Sequence, residues 1–131
     1  MIKKDQLLTS QQLAQMGVLC APNSFKLASV VELSETCNGC GASGSWFRPP
    51  STIYGTLIVY ACHIHDWMYS QGKTNEDRDE ADRTMLNNMS RLIDKDAHLW
   101  YKPTYLQHKR AYSYYLAVHK FGGPAFWAGK N

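Results

Sequence analysis

One segment constrains the fold more than any other part of the chain, and it runs from Tyr60 to Gly72 as YACHIHDWMYSQG. Four positions here and just before it recur at i, i+4, i+7 and i+11, namely Ile58, Cys62, His65 and Tyr69. This spacing predicts one face of a helix. An imidazole and a phenol on that face are costly to bury unless each is hydrogen-bonded. We therefore interpret the helix as the carrier of a functional site, ended by Gly72 in a left-handed conformation.

A second helix should follow at once and pack against the first. Thr74 or Asn75 suits the N-cap position, and an apolar stripe then extends the helix to about Asp94. Because the connecting turn has only a few residues, the two helices should be antiparallel neighbours.

The positions of His65 and Asp82 suggest that they meet across this hairpin. Taking Thr74 as the turn, His65 lies nine residues before it (74 − 65) and Asp82 lies eight after it (82 − 74). Residues equidistant from the turn of an antiparallel pair face each other. A carboxylate that holds one imidazole nitrogen fixes the tautomer and leaves the other nitrogen as a general base.

The remaining segments predict a mostly α-helical single domain that spans residues 1–131. A capping box at Thr9-Ser10-Gln11-Gln12 should begin a short helix ended by Gly17, and residues 25–33 favour another helix. The central helix should begin between Ser51 and Thr56. A last helix, capped by Thr104, should run to Phe121, with the aromatic tail 125–131 packed on the core. His63 lies off the site face and is expected at the surface.

The bulk composition narrows the class of protein. At 131 residues and 44% hydrophobic content the chain can bury a core. A net charge of +3 gives no reason to expect a nucleic-acid partner, and the sequence leaves the oligomeric state open. The start has no apolar signal-peptide region, so we expect synthesis in the cytosol, with export or virion association by a non-classical route left open. The four cysteines would then be thiols or metal ligands.

A glycine-dense segment precedes the central helix and suggests a cation site. Residues 38–45 read NGCGASGS, which tolerates unusual backbone angles and presents free carbonyl groups. Ca²⁺ accepts backbone carbonyl and carboxylate oxygens together. Asp66, next to His65, would bring such a cation close to the general base.

These residues carry a resemblance to a known family. The pattern Cys62-x-x-His65-Asp66-x-x-Tyr69 resembles the active-site helix of phospholipase A2. Residues 39–44, GCGASG, look like that family's calcium loop, with Ser43 in place of a glycine. The separation of 17 residues between His65 and Asp82 (82 − 65) is nearer that of the compact version in parvovirus capsid proteins. The chain thus resembles a compact, disulfide-poor member of the superfamily, either bacterial or phage or parvovirus-like. The match covers about residues 37 to 86.

The resemblance implies roles for individual residues. His65 would activate water, Asp82 would orient His65, and Tyr69 would join their hydrogen-bond network. The implied Ca²⁺ ligands are the Asp66 carboxylate and the main-chain carbonyls of Gly39, Gly41 and Ser43. The implied function is Ca²⁺-dependent hydrolysis of a glycerophospholipid acyl ester at a membrane surface. Cys40 and Cys62 match a family disulfide pair, in which Cys20 and Cys37 would take no part.

Two other interpretations use the same residues. Cys37-x-x-Cys40 followed by Cys62-x-x-His65, with a spacer of 21 residues (62 − 40 − 1), fits a structural Cys₃His zinc site in a non-enzymatic helical binding protein. Alternatively, His65 and Asp82 form a satisfied buried pair in an inert helical core.

Overall fold

The computed structural model describes residues 2–37, 51–128 and 130, and this part of the chain is mostly α-helical, as predicted. Its seven helices are α1 (Ile2–Gln15), α2 (Asn23–Leu27), α3 (Val30–Thr36), α4 (Val59–Gln71), α5 (Asn75–Lys95), α6 (Thr104–Phe121) and α7 (Gly123–Trp127). Two short strands, β1 (Thr52–Ile53) and β2 (Thr56–Leu57), pair antiparallel. The predicted calcium loop, with Gly39, Gly41 and Ser43, lies outside the described residues.

The centre of the fold is the predicted antiparallel hairpin of α4 and α5. Only three residues, 72–74, separate the two helices. Thr74 caps α5, because its Oγ1 accepts from the Asp77 amide at 3.0 Å while the Asp77 carboxylate accepts from the Thr74 amide at 3.2 Å. This reciprocal pair satisfies amides that a helix start leaves unpaired. The cap therefore fixes the first residue of α5 and with it the length of the turn that follows α4.

Helix α4 is buried on nearly every side, and the prediction of a surface position for His63 is wrong. Helices α1, α3 and α5 all pack on α4. Only 1% of His63 is exposed, and its Nδ1 lies 2.6 Å from the Ser10 hydroxyl of α1. Because neighbouring helices cover more than one face of α4, a residue off the site face can still be inside.

Helix α1 begins seven residues earlier than its predicted capping box. Thr9 and Ser10 lie inside the helix, where their hydroxyls donate to the carbonyls of Asp5 and Gln6, each at 2.9 Å. Hydroxyl side chains are accommodated in helix interiors by this bond to the residue four positions back. Further on, residues 25–33 form parts of two helices rather than one, since Ser29 caps α3 in a box with Glu32.

A β-hairpin occupies the segment where the central helix was expected to begin. Tyr54 and Gly55 form its turn with φ of 45° and 85°, the positive angles of a tight hairpin connection. Gln107 of α6 donates to the Ile53 carbonyl at 3.0 Å and to the Thr56 hydroxyl at 2.7 Å. Helix α4 consequently begins at Val59, after the expected interval.

Gly72 ends α4, but in an extended conformation (φ −72°, ψ 154°), so the predicted left-handed end is wrong. A Cβ atom at this position would lie 2.7 Å from the Phe126 ring. Phe126 is 1% exposed and its ring meets the Tyr69 ring edge-on, with centroids 5.1 Å apart. The glycine is therefore needed for close packing, and the prediction that the tail packs on the core is confirmed at Phe126.

Helix α6 has the predicted bounds, although Pro103 rather than Thr104 occupies the N-cap position. It packs along α5, and its final turn reaches the level of Tyr69. None of the described helices combines the length and apolarity needed to cross a membrane.

Candidate functional site

The site is organised around the carboxylate of Asp82, which has no exposed surface. Its Oδ1 lies 2.8 Å from Nε2 of His65 and 2.7 Å from the Tyr69 hydroxyl. Its Oδ2 lies 3.3 Å from Nδ1 of His119. The predicted hydrogen bond between His65 and Asp82 across the hairpin is confirmed.

Helical spacing brings the three predicted side chains together. His65 and Tyr69 are four residues apart on α4, so their side chains lie on one face. Their ring centroids are 4.1 Å apart. Asp82 projects from the facing side of α5, where Ala81 and Met85 are buried beside it. The local sequence thus places an imidazole and a phenol over one carboxylate.

The protonation states of the acceptor and of the phenol follow from their surroundings. Burial by itself would raise the pKa of Asp82, but the hydrogen bonds from His65 and Tyr69 outweigh it and hold that pKa below its usual range. Burial, and then the charge of Asp82, raise the pKa of the Tyr69 phenol far above its usual range. Asp82 is therefore an ionised acceptor, and Tyr69 is a neutral donor.

This geometry sets the tautomer of His65. An ionised carboxylate only accepts hydrogen bonds, so Nε2 of His65 carries the proton that Asp82 receives. In the neutral ring, Nδ1 then has the lone pair. His65 is 7% exposed, so the ring is held in place by its neighbours. An imidazole with a fixed orientation and one basic nitrogen can act as a general base.

The chain matches no protein-family model, curated protein or solved structure. The likeness to phospholipase A2 therefore stays a resemblance of sequence motif. It consists of the His-Asp pair on α4, the carboxylate of Asp82 on α5, and a tyrosine one turn after the histidine.

The predicted cation ligands are only partly within the described residues. Asp66 lies on α4 beside His65 and is partly exposed. The three residues with implied carbonyl ligands, Gly39, Gly41 and Ser43, lie outside the described part. Asp66 has the hard oxygen chemistry that Ca²⁺ prefers.

The cysteines differ from the expectation that all four are thiols or metal ligands. Cys62 is disulfide-bonded, and Cys40, its partner by resemblance, lies outside the described residues. Cys20 and Cys37 are thiols. The Cys37 thiol donates to the His63 carbonyl with an Sγ–O distance of 3.3 Å. The resemblance implied a disulfide at Cys62, whereas the argument from synthesis in the cytosol did not.

The zinc interpretation gains no support from the described residues. Three of its four ligands, Cys37, Cys62 and His65, are among them. Within residues 2–37, 51–128 and 130, no three His, Cys, Asp or Glu side chains form a group that could hold a metal ion. The Cys62 sulfur is committed to a disulfide, and Nε2 of His65 is committed to Asp82.

Two residues of α5 and α6 join the site without having been predicted. His119 contacts Asp82, and Nη2 of Arg78 donates to the His119 carbonyl at 2.5 Å. A signal for His119 was present in the sequence. The turn between α5 and α6 is centred near residue 100, so Asp82 lies 18 residues before it (100 − 82) and His119 lies 19 after it (119 − 100). The counting that paired His65 with Asp82 would also have paired His119 with Asp82.

Proposed function

We propose that the protein is a Ca²⁺-dependent esterase that hydrolyses an acyl ester of a glycerophospholipid. The observation that carries the proposal is the buried carboxylate of Asp82, which binds Nε2 of His65 and leaves Nδ1 as the basic nitrogen. A buried ion pair alone would not need a phenol on the same oxygen, yet Tyr69 donates there at 2.7 Å.

The first step is the activation of water by His65. Nδ1 takes a proton from a water molecule as its oxygen attacks the carbonyl carbon of the ester. The ring then carries a positive charge, which the ionised Asp82 stabilises at 2.8 Å from Nε2. The same proton can next pass from Nδ1 to the alkoxide that leaves when the tetrahedral intermediate collapses. General base catalysis of this kind contributes about 10²–10⁴-fold to a rate.

Tyr69 contributes by holding the carboxylate. Its phenol keeps its proton because burial and the Asp82 charge raise its pKa. It therefore donates a hydrogen bond to Oδ1 of Asp82 throughout the reaction and takes no part in the proton transfers. The ring also packs on His65 with centroids 4.1 Å apart, which restricts rotation of the imidazole.

Ca²⁺ would be held by Asp66 and by the carbonyls that the resemblance assigns to Gly39, Gly41 and Ser43. When bound, it supplies positive charge at the developing oxyanion. The phospholipid substrate would approach from a membrane surface, and a preference for the sn-2 ester is implied by the resemblance alone.

The test is the release of fatty acid from phospholipid vesicles by the oxidised full-length chain, measured with Ca²⁺ and again with a chelator. The decisive variant is His65→Gln, which keeps a polar side chain but removes the base. Activity should fall by about 10²–10⁴-fold while the thermal melt and Ca²⁺ affinity change little.

The matched control is His108→Gln. His108 forms a similar pair with Asp94 at 2.8 Å, but this pair is exposed and belongs to the far ends of α5 and α6. The control should keep full activity. Absence of Ca²⁺-dependent fatty acid release from the wild-type chain, on anionic and zwitterionic vesicles alike, would refute the proposal.

A further inference from the structure

We propose that His119 is a positioning residue that holds the second oxygen of Asp82 and so fixes the carboxylate for His65. It reaches the site from α6, a helix outside the segment that resembles phospholipase A2. The role in turnover rests on the proposed function, whereas the role in fixing the carboxylate can be measured without any substrate.

The two oxygens of Asp82 have different partners. Oδ1 accepts from His65 and from Tyr69, both on α4. Among the described residues, the hydrogen-bond partner of Oδ2 is His119, with 3.3 Å between Oδ2 and Nδ1. Asp82 is completely buried while the His119 side chain is 46% exposed, so the ring separates Oδ2 from solvent. A buried acceptor that loses its partner is costly.

The placement of His119 is itself supported on several sides. Arg78 of α5 donates to the main-chain carbonyls of Val118 and His119, at 3.4 Å and 2.5 Å. The Tyr115 ring stacks on the imidazole, with centroids 5.7 Å apart and an interplanar angle of 18°. Together these contacts fix both the backbone and the ring of His119 against α5.

The end of α6 approaches α4 closely enough to make this contact possible. A Cβ atom on Gly122 would lie 2.7 Å from the Tyr69 hydroxyl. Glycine at this position therefore lets the last turn of α6 lie directly over the phenol. The His119 ring is consequently brought to the side of Asp82 opposite His65.

A competing acceptor for His119 is present but weaker. Oδ1 of Asp79 lies 3.8 Å from Nδ1, beyond hydrogen-bond range, and both side chains are 46% exposed. Attraction between exposed charges is weakened by water. The contact with the buried Asp82 is shorter, so it decides where the ring points.

The contact with His119 restricts the orientation of the Asp82 carboxylate relative to His65. Oδ1 of Asp82 accepts a well-aligned hydrogen bond from Nε2 of His65 only while the carboxylate keeps its orientation. Tyr69 and His65 both bind Oδ1, so neither restrains Oδ2 directly against rotation of the carboxylate about its Cβ–Cγ bond. His119 stops it, and the proton on Nε2 stays aligned when His65 becomes charged.

The experiment compares three variants of the oxidised full-length chain. His119→Phe keeps the ring over Tyr115 but removes the donor. His119→Asn restores a donor, because the side-chain amide nitrogen of asparagine takes the position of Nδ1. His108→Phe is the control, since it breaks the exposed pair with Asp94 between the same two helices.

Two readouts are used. The first is kcat and KM on phospholipid vesicles with Ca²⁺. We expect kcat to fall about tenfold in His119→Phe, with KM nearly unchanged, and to recover in His119→Asn. The second is the low-field proton NMR signal of the His65 imidazole, identified by its loss in His65→Gln. This signal should broaden through exchange with water in His119→Phe and stay sharp in His119→Asn and His108→Phe.

Each outcome either supports or overturns the positioning role of His119. An unchanged NMR signal in His119→Phe overturns the positioning role, whatever happens to activity. A broadened signal that His119→Asn does not sharpen, or that His108→Phe reproduces, points to general loosening and also overturns it. If the wild-type chain has no esterase activity, the proposed function fails, while the NMR comparison still tests the role of His119.

Discussion

Removal of the Tyr69 hydroxyl tests its hydrogen bond to Asp82. In Tyr69→Phe the ring keeps its edge-on contact with Phe126 and its contact with His65, so almost no apolar packing is lost. What disappears is a donor 2.7 Å from an oxygen of the fully buried Asp82. Both groups are shielded from water, so screening does not reduce the effect.

The expected cost follows from the kind of bond. A hydrogen bond to a charged group contributes about 1.5–3 kcal/mol to stability. Oδ1 keeps His65 as a donor, so the loss should lie toward the lower end, about 2 kcal/mol. For a chain of this length that corresponds to a decrease in melting temperature of roughly 6–8 °C.

The assay is equilibrium unfolding in urea followed by circular dichroism, with the disulfide intact. Tyr101→Phe is the control, because Tyr101 is 60% exposed and should change stability by less than about 0.5 kcal/mol. A Tyr69→Phe protein within about 0.5 kcal/mol of wild type would show that the phenol contributes nothing to holding Asp82. The proposed network would then be reduced to its two histidines.

Three further predictions concern the cation, the pH dependence and the packing of the tail. Asp66→Asn should lower Ca²⁺ affinity, measured by calorimetry, together with activity, because a neutral amide oxygen binds Ca²⁺ poorly; unchanged Ca²⁺ affinity would remove Asp66 from the site. The pKa of Asp82 is lowered by folding, so its ionised form stabilises the protein above roughly pH 4 and that contribution is lost as the pH falls through the folded pKa. Urea unfolding should therefore show an advantage of wild type over Asp82→Asn at neutral pH that shrinks below roughly pH 4, and a constant difference would contradict the assignment. Gly72→Ala should destabilise the fold by about 1–3 kcal/mol in the same assay, since its Cβ would lie 2.7 Å from the buried Phe126 ring, and an unchanged stability would mean that the tail yields freely.

The sequence was most informative where local signals and spacing agree. The cap at Thr74 and the apolar stripe of α5 both place the start of that helix, and the short turn leaves one way to pack it on α4. Once the hairpin is defined, the register of His65 against Asp82 follows from counting residues. The catalytic roles of these residues, by contrast, stay predictions.

Other features depend on contacts that no local pattern encodes. The burial of His63 requires α1 to cover α4, and the helix face seen in the sequence gives no sign of that second covering. The need for a glycine at position 72 depends on contact with Phe126, more than fifty residues later. The strands β1 and β2 are two residues each, too short for alternation to be recognised.

The sharing of Asp82 by three helices has a consequence for cooperativity. Its carboxylate belongs to α5, its Oδ1 is bound from α4, and its Oδ2 is bound from α6. If α6 separates from α5, His119 leaves Oδ2 and a buried charge is left with fewer donors, which disfavours partial opening. The three helices should therefore exchange their most protected amide hydrogens as one unit. We therefore expect the residues proposed for chemistry also to couple the unfolding of these three helices.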